Sequence, residues 1–437
     1  MIKLIMPLSS IIALRFLGLF LVLPVISIYA INLENSSTFL VGIVIGGYAL
    51  TQMIFQVPFG IVSDKVGRKK TIVFGLILFA IGSALCAVST DIYTLIIGRF
   101  LQGSGAIAAV VTAMISDIVK EEQRPKAMAM MGGTIAMSFA VSMIAGPTLG
   151  AYLGVEFLFW LTGFFALVSI VILFKAVPNP PKISHTYESK SKFSVILSDS
   201  NLIKMNITNF LQKGLMTFAF MIIPMVLIQN FGWDVKELYK VYAPAMVFGV
   251  LAMAPAAIIA EKKGKFKEIL IAGIFFFALS YLIIGTSDSD TVFAIGVVVF
   301  FIGFNMHEPI MQSLATRYAK VHQRGVVLGI FNSFGYFGTF LGGILGGIFF
   351  ENVTLFTIVI TITIVCLLWI ILIYTMPNPM HKKVLYLSLD NLKREKTNDL
   401  HNLSAVDEWY INENENLLII KYNKEQTTEE QIQEILK

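Results

Sequence analysis

The sequence predicts an all-α polytopic membrane protein of twelve transmembrane helices in two six-helix halves, followed by a small α+β domain. Composition is the first observation, because 56% of the 437 residues are hydrophobic and only 14% are charged. A water-soluble chain of this length cannot bury so much apolar surface. Twelve long apolar runs are the second observation, and an internal repeat near 200 residues is the third.

The twelve predicted spans are separated by short polar connections. At about 20 apolar residues per span, they lie at 7–31, 38–62, 70–89, 92–118, 126–152, 156–177, 203–230, 237–260, 267–286, 291–317, 325–350 and 353–376. The first run is too long for a cleaved signal peptide and contains Arg15. We therefore expect it to remain as a membrane helix.

Residue pairs about 200 positions apart divide the spans into two equivalent halves. They are Pro24 and Pro224, Phe100 and Phe300, Gly103 and Gly303, and Arg124 and Arg324. Repeats of this length are typical of duplicated helical units. We expect one bundle over 1–177, a polar linker over 178–202 and a second bundle over 203–377.

Basic residues fall in alternate connections between the spans. They are Lys65, Arg68, Lys69, Lys70, Lys120, Arg124, Lys126, Lys182, Lys190, Lys192, Lys262, Lys263, Lys265, Lys267, Arg317, Lys320 and Arg324. The other connections carry only Lys236 and Lys240, beside several acids. Since cytoplasmic loops are enriched in Lys and Arg, both termini are predicted to be cytoplasmic.

The segment 381–437 is polar and reads as a β-α-β-β-α domain of ferredoxin-like type without its last strand. Strands are predicted at 384–388, 405–411 and 417–422, and helices at 390–402 and 428–436. The two cysteines, Cys86 and Cys366, both lie in apolar runs, so we expect no CxxC metal site. Acids slightly outnumber bases in this domain, which argues against a nucleic-acid module. A regulatory role and a packing role both remain open.

The connection after the second span contains Gly60, Asp64, Gly67, Arg68 and Lys69. It resembles the signature loop of the major facilitator superfamily, Gly-x-Leu-Ala-Asp-Arg-x-Gly-Arg-Lys. The resemblance implies a transporter fold of two rocking halves. Because a carboxylate is disfavoured at a helix C-terminus, we expect Asp64 to face the start of another helix. We place that contact near Arg324, with Arg68 close by, as a latch that closes the cytoplasmic side.

Glu308 is the carboxylate that lies deepest in any predicted span. A charge at this depth costs about 2.5–3.5 kcal/mol on insertion scales, so Glu308 must pair, face water or hold a proton. We predict a role in proton coupling or substrate binding, with a structural bond to Lys213 or Arg15 as the alternative. The adjacent His307 either lines the same cavity or packs between helices.

Three further residues carry charge inside the spans: Arg15, Lys213 and Arg99. Arg15 and Lys213 are expected to compensate Glu308, bind an anionic substrate or extend to the cytoplasmic surface. Arg99 and Gln102 begin the run Arg-x-x-Gln-Gly-x-Gly, which resembles the family's second motif. That resemblance implies an arginine linked to proton coupling, whereas a structural arginine is the alternative.

Gly133, Gly146, Pro147 and Gly150 lie in the fifth span and resemble the antiporter motif of drug–proton antiporters. Ser142 and Ala151 replace two glycines of that motif, but both are small. The resemblance extends to residues 15–24 and 98–109, and it is identified with the drug–proton antiporter-1 family. No span presents a nucleophile beside a base, so we do not expect an enzyme.

This resemblance implies a monomer in a bacterial inner membrane that exports small apolar or cationic compounds. It would use the proton gradient and no cofactor, and its partners would be substrate, protons and lipid rather than nucleic acid. Proton-coupled nutrient uptake is the first alternative function. A ligand sensor that signals through the C-terminal domain is the second.

Overall fold

The computed structural model describes residues 2–179, 198–319, 323–377, 382–391, 400, 403, 405–413, 415–423 and 426–436. Within these residues, twelve segments are long and apolar enough to span a membrane, which confirms the predicted architecture. Helices satisfy all their backbone groups internally, as a spanning segment must in lipid. Most of the predicted linker 178–202 lies outside the described residues.

Fifteen α-helices occur in the described residues. They are α1 (Ile2–Leu21), α2 (Ile26–Ile31), α3 (Thr38–Val66), α4 (Arg68–Ala87), α5 (Ile92–Ser104), α6 (Ala108–Ile118), α7 (Arg124–Leu153), α8 (Val155–Ala176), α9 (Ser200–Gln229), α10 (Tyr239–Lys263), α11 (Phe266–Gly285), α12 (Asp290–Tyr318), α13 (Arg324–Asn352), α14 (Leu355–Tyr374) and α15 (Glu429–Leu436).

Two spans that we predicted as continuous helices are interrupted. The first span breaks between α1 and α2, where Pro24 cannot donate a backbone hydrogen bond. The fourth span breaks between α5 and α6, at Gly105. A Cβ added to Gly105 would lie 2.3 Å from the carbonyl oxygen of Gly75, so the interruption lets α4 approach closely. Pro224 and Pro309, in contrast, lie inside continuous helices.

The two halves pack tightly at one end of the bundle. We call the end with the turns at 66–68 and 263–266 the basic face, and the other end the opposite face. Near the opposite face, a Cβ on Gly42 of α3 would lie 2.3 Å from the Gly343 carbonyl oxygen of α13. There Thr38 Oγ1 also donates a 2.5 Å hydrogen bond to Glu351 Oε2. The halves are therefore sealed together at the opposite face.

At the basic face the same two helices are apart. A Cβ added to Gly60 of α3, or to Gly325 or Gly329 of α13, would meet no described heavy atom within 4 Å. Between these regions, Gln52 Nε2 donates to the Tyr336 hydroxyl at 2.7 Å and joins α3 to α13. The gap between the halves therefore opens toward the basic face and ends near Gln52.

The C-terminal domain contains strands β1 (Lys382–Ser388), β2 (Val406–Asn412) and β3 (Leu417–Asn423). They form an antiparallel sheet in the order β1-β3-β2, covered by α15 through Ile432 and Leu436. This order agrees with the predicted ferredoxin-like arrangement without a fourth strand. Residues 392–399 of the predicted helix 390–402 lie outside the described residues.

The C-terminal domain contacts both halves at the basic face. Lys421 Nζ of β3 donates to the carbonyl oxygens of Arg317 and Ala319, at 3.0 and 2.6 Å, where α12 ends. A cation is favourable there because helix C-termini carry partial negative charge. Glu415 lies 3.6 Å from Arg124 Nη2 at the start of α7. The domain thus packs against the membrane part at two separate helix ends.

Candidate functional site

Glu308 of α12 forms an ion pair with Lys213 of α9. Gln212 Nε2 lies 3.4 Å from the same carboxylate oxygen. The Lys213 and Glu308 side chains are 27% and 31% exposed, so the pair is open to the space outside the helices. The structure therefore brings together two of the residues that we predicted from sequence, and adds Gln212.

The position of Phe304 shows that the Glu308–Lys213 pair lies beside the gap between the halves. Phe304 precedes Glu308 by about one helical turn, and its ring lies 4.9 Å from Lys213 Nζ. Across the gap, Phe139 of α7 lies 5.6 Å from Phe304, measured between ring centroids. The ion pair consequently borders the gap between the halves. Further aromatic rings close the gap on its opposite-face side: Phe20, Phe220, Tyr242 and Phe301.

Arg15 lies in the first span and does not reach the surface. Its side chain is completely buried, and Nη2 donates to Gln52 Oε1 at 3.1 Å. Through Gln52 it is connected to Tyr336 of the other half. The structure therefore separates Arg15 from Glu308, and the expected compensation between these two residues is absent. Sequence reasoning missed both Gln52 and Tyr336, which carry no charge.

Arg99 and Gln102 form a closed network inside the N-terminal half. Arg99 donates to the Val44 and Ile45 carbonyl oxygens at 3.0 and 3.5 Å, and to Gln102 Oε1 at 2.9 Å. Its guanidinium also lies 4.6 Å from the centre of the Tyr48 ring. These contacts tie α5 to α3, which is the structural alternative considered for Arg99.

His307 points away from Glu308, toward α11. Its Nε2 lies 2.9 Å from the Leu270 carbonyl oxygen, and its ring packs edge-on against Phe277 and Trp369. Adjacent helical residues project about 100° apart, which places these two side chains on different faces of α12. The side chain is fully buried, and its placement favours packing over the cavity-lining role that we considered.

The signature loop is organised by Arg68. Its Nε donates to Asp117 Oδ2 at 2.9 Å, and its Nη1 contacts Asp64 Oδ1 and Ser63 Oγ, each at 2.5 Å. Gly67 alone joins α3 to α4, with a φ of 108° that favours glycine. Asp117, at the end of the fourth span, was missed from sequence.

Among the described side chains, Asp64 makes no contact with the start of α13. The Asp64 side chain is 61% exposed and pairs with Arg68 of its own half. Arg324 begins α13, but its side chain lies outside the described residues. Lys69 donates instead to the Val177 carbonyl oxygen at 2.6 Å, at the end of α8, so it stabilises a helix end. Gly60 faces open space.

The C-terminal half has an ion pair at the corresponding place, with a base on α12 where the N-terminal half has Asp117. Glu261, at the end of α10, accepts a 2.6 Å hydrogen bond from Ser313 and forms an ion pair with Arg317. Arg317 lies 200 positions after Asp117. Asp117 can therefore be found from sequence as the residue one repeat length before Arg317.

The face of α7 that packs on α1 contains Ser142 and Gly146 of the antiporter motif, together with Thr134 and Ser138. Hydroxyls at Thr134, Ser138 and Ser142 donate to carbonyl oxygens of α1, at 3.5, 3.0 and 3.0 Å. Gly146 follows in the same row, and a Cβ there would lie 2.2 Å from the Leu21 carbonyl oxygen. Ser142 thus replaces a glycine with a small residue that also bonds the facing helix.

The other motif residues differ in their surroundings. A Cβ added to Gly150 would contact Val25 and Leu158, whereas a Cβ added to Gly133 would meet no described atom of another element within 4 Å. Pro147 lies inside α7, where it removes one backbone donor. Within the motif, close packing is therefore required at Gly146 rather than at Gly133.

Comparison with known proteins identifies the family. The family model described as Major Facilitator Superfamily matches residues 8–343 and 267–386. Inner membrane transport protein YajR of Escherichia coli (strain K12) is 36% identical over 344 residues, which cover 78% of this chain and 76% of that protein. Multidrug resistance protein 1 of Bacillus subtilis (strain 168) is 27% identical, over 77% of this chain and 87% of that protein.

A solved structure supports the fold independently of close sequence similarity. A bacterial homologue of the human lysosomal transporter Spinster superimposes with a TM-score of 0.67 at 13% identity, over 85% of this chain and 96% of that one. The proteins compared are transporters and not enzymes. From the family match, this identity and the twelve spans, we conclude that the chain belongs to the Major Facilitator Superfamily of membrane transporters.

Proposed function

We propose that this transporter exports small amphipathic molecules in exchange for protons, with Glu308 as the proton-binding group. The observation that carries the proposal is the half-open ion pair of Glu308 with Lys213 beside the gap between the halves. A carboxylate at mid-membrane depth that is reachable from one side can load and release a proton. The other acids of the described spans lie near helix ends.

Protonation of Glu308 would break the ion pair. The carboxylate oxygen takes the proton and becomes neutral, which leaves the Lys213 ammonium without its counter-ion. Lys213 then needs water as its partner. Exchange requires that proton and substrate bind in alternation, so we propose that the protonated, unpaired site has a lower affinity for substrate than the ion-paired site.

The direction of transport rests on two features of the molecule. The α7 motif that packs against α1 resembles that of drug–proton antiporters, and its small-residue face is complete from Thr134 to Gly146. The basic face carries most of the Lys and Arg residues of the loops, so we assign it to the cytoplasm. Both termini are cytoplasmic in this orientation.

With that orientation, the present conformation faces inward. The opposite face is sealed by the Gly42–Gly343 packing, while Gly60 and Gly329 are apart. Rocking of the two halves would separate the sealed end and bring the basic ends together. We infer that Asp64 then meets the start of α13 as the latch, stabilising the outward-facing state.

Inverted membrane vesicles test the proton role of Glu308. With an imposed pH gradient, a panel of fluorescent organic anions and cations is offered, and release of protons is followed with a pH-sensitive dye. We expect Glu308→Gln to abolish compound-induced proton flux, while Glu237→Gln, at the opposite face, retains it. Undiminished flux in Glu308→Gln would refute the assignment. Proton and compound moving in the same direction would instead establish uptake.

A further inference from the structure

Two donor nitrogens of Arg15 have no hydrogen-bond acceptor among the described residues. Its Nη2 is bonded to Gln52, but Nε and Nη1 have no hydrogen-bond partner, although the side chain is fully buried. The rings of Phe16 and Phe79 lie 5.7 and 5.2 Å from the guanidinium carbon. Such rings attract a cation but do not replace oxygen acceptors. Burying charged donors without acceptors costs free energy. Nε and Nη1 of Arg15 therefore have room for a further acceptor.

Arg15 lies next to the closed end of the gap. Gln52 connects it to Tyr336, which belongs to the other half. Toward the basic face, Gln56 follows on the same side of α3, and its buried Oε1 also lacks a described partner. Gly60 comes next and faces open space. Gln56 and Gln52 therefore form a buried polar row along α3, between the open end of the gap and Arg15.

The fixed charges around this path are mostly positive. At mid-depth, the described spans carry the cations Arg15, Arg99 and Lys213 but only one carboxylate, Glu308. Glu308 is paired with Lys213, and Arg99 is bonded to Gln102 and backbone carbonyls. Arg15 and Arg99 therefore both lack a counter-ion among the described residues, but only Arg15 also has guanidinium donors without a described acceptor. Such a site attracts anions and repels cations.

A row of aromatic rings connects Arg15 with the Glu308 region. Phe16 and Phe20 are 5.4 Å apart between centroids, and Phe20 and Phe139 are 5.1 Å apart. Phe139 then reaches Phe304, beneath Lys213. The row begins with the partly exposed rings of Phe16 and Phe20 and continues to the buried rings of Phe139 and Phe304. An aromatic molecular body can lie beside its exposed part, with one end near Arg15.

We propose that Arg15 binds the carboxylate of an amphipathic organic anion, whose aromatic body contacts the row from Phe16 to Phe139. The planar guanidinium matches a carboxylate in a bidentate arrangement. Nε and Nη1 have no described acceptor, and either of them can complete a fork with the second hydrogen of Nη2, whose first hydrogen is donated to Gln52. The assignment rests on the proposed export function and defines its substrate class. It replaces the expectation of apolar or cationic compounds.

Binding to the purified full-length protein tests this assignment without a proton gradient. Three probes of similar shape are compared by calorimetry: naphthalene-2-carboxylate, its neutral amide, and naphthalen-2-ylmethylammonium. We expect the wild type to bind the carboxylate roughly 10- to 100-fold more tightly than the amide. Arg15→Gln should reduce this ratio to near one, and Arg15→Lys should retain part of it. The exposed-site variant Lys240→Gln should leave the ratio unchanged.

Several results would overturn the assignment. The wild type could prefer the amide or the ammonium, or it could bind none of the three probes. The third such result is a preference for the carboxylate that remains in Arg15→Gln. Gel filtration of Arg15→Gln and Arg15→Lys excludes misfolding as the cause of lost binding. Because calorimetry requires no transport, a negative result here leaves the Glu308 experiment intact. Conversely, the result of the proton-flux experiment with Glu308→Gln does not determine the ratio of carboxylate to amide affinity, which calorimetry measures on its own.

Discussion

The ion pairs Arg68–Asp117 and Lys213–Glu308 differ in how far they are buried, which bears on the proposed proton role of Glu308. Arg68 and Asp117 are only 11% and 12% exposed, so the pair has little contact with solvent. Lys213 and Glu308 are between a quarter and a third exposed at the border of the gap. Removing one partner of a buried pair leaves an uncompensated charge. We therefore expect the first pair to support stability and the second to respond to protons.

The two acids around Arg68 should behave differently when they are neutralised. Asp117→Asn should lower the free energy of unfolding by roughly 1.5–3 kcal/mol, since it removes a charged hydrogen bond from a buried site. Asp64→Asn should leave stability nearly unchanged, because Asp64 is 61% exposed in this conformation. Thermal unfolding in detergent measures both variants. Equal destabilisation by the two variants would contradict this distinction.

Asp64→Asn should instead slow transport. The carboxylate is expected to stabilise the outward-facing state, so its loss shifts the balance between states without removing the substrate site. Transport rates in proteoliposomes and probe binding in detergent separate these effects. A wild-type transport rate in Asp64→Asn would remove the latch from the mechanism.

At the scale of helices, small residues determine how closely neighbours approach. Helix α7 presents hydroxyls and glycine to α1 at intervals of four residues, each facing a backbone carbonyl. In lipid, helix association depends on such close packing and on hydrogen bonds between helices, because apolar side chains gain little from leaving lipid. The row therefore holds α1 and α7 together as a unit.

Two glycines of the same helix provide a matched test of this packing. Gly146→Ala should destabilise the protein by about 1–3 kcal/mol, because the added methyl group collides with the Leu21 carbonyl. Gly133→Ala has room for its methyl group and should be neutral, or stabilising by about 0.5–1 kcal/mol through helix propensity. Thermal unfolding of both variants provides the comparison. A destabilised Gly133→Ala variant would show that the motif matters through some other contact.

At the scale of the whole molecule, the contacts between the halves are unevenly distributed. Thr38 bonds Glu351 and Gly42 packs on Gly343 at the opposite face, whereas Gly60 and Gly329 are open at the basic face. The C-terminal domain adds contacts at the basic face with α7 and with the end of α12. Opening of the sealed end therefore requires α3 and α13 to separate there.

A disulfide across the sealed end should lock this conformation. In a background with Cys86 and Cys366 replaced by Ala, the pair Thr38→Cys and Glu351→Cys should cross-link rapidly under mild oxidation, because these side chains are in contact. We expect transport to stop on cross-linking and to recover with reductant. As a control, Asp64→Cys with Gly325→Cys should not cross-link in this state. Full transport in the cross-linked protein would refute rocking of these helices.

The pair of Glu308 and Lys213 was considered from sequence, whereas the neutral residues around it were not. Glu308 and Lys213 were identified because charges are rare and costly in lipid-spanning helices. The prediction missed Gln52, Tyr336 and Gln212. Neutral polar residues are common in such helices, and their role can be assigned only when the residues that they contact are known. Asp64 pairs with Arg68 of its own half, and its contact with the start of α13 stays a prediction.

The sequence by itself determined the twelve spans, the repeated halves, the turn at Gly67 and the three-stranded domain. These are local consequences of hydrophobic length, residue spacing and backbone hydrogen bonding, which each segment must satisfy alone. Only the tertiary structure decided the partners of Arg15, Arg99 and His307, and the face at which the halves are sealed. Those outcomes depend on helix rotation and on many weak contacts between distant segments, which no single stretch of sequence contains.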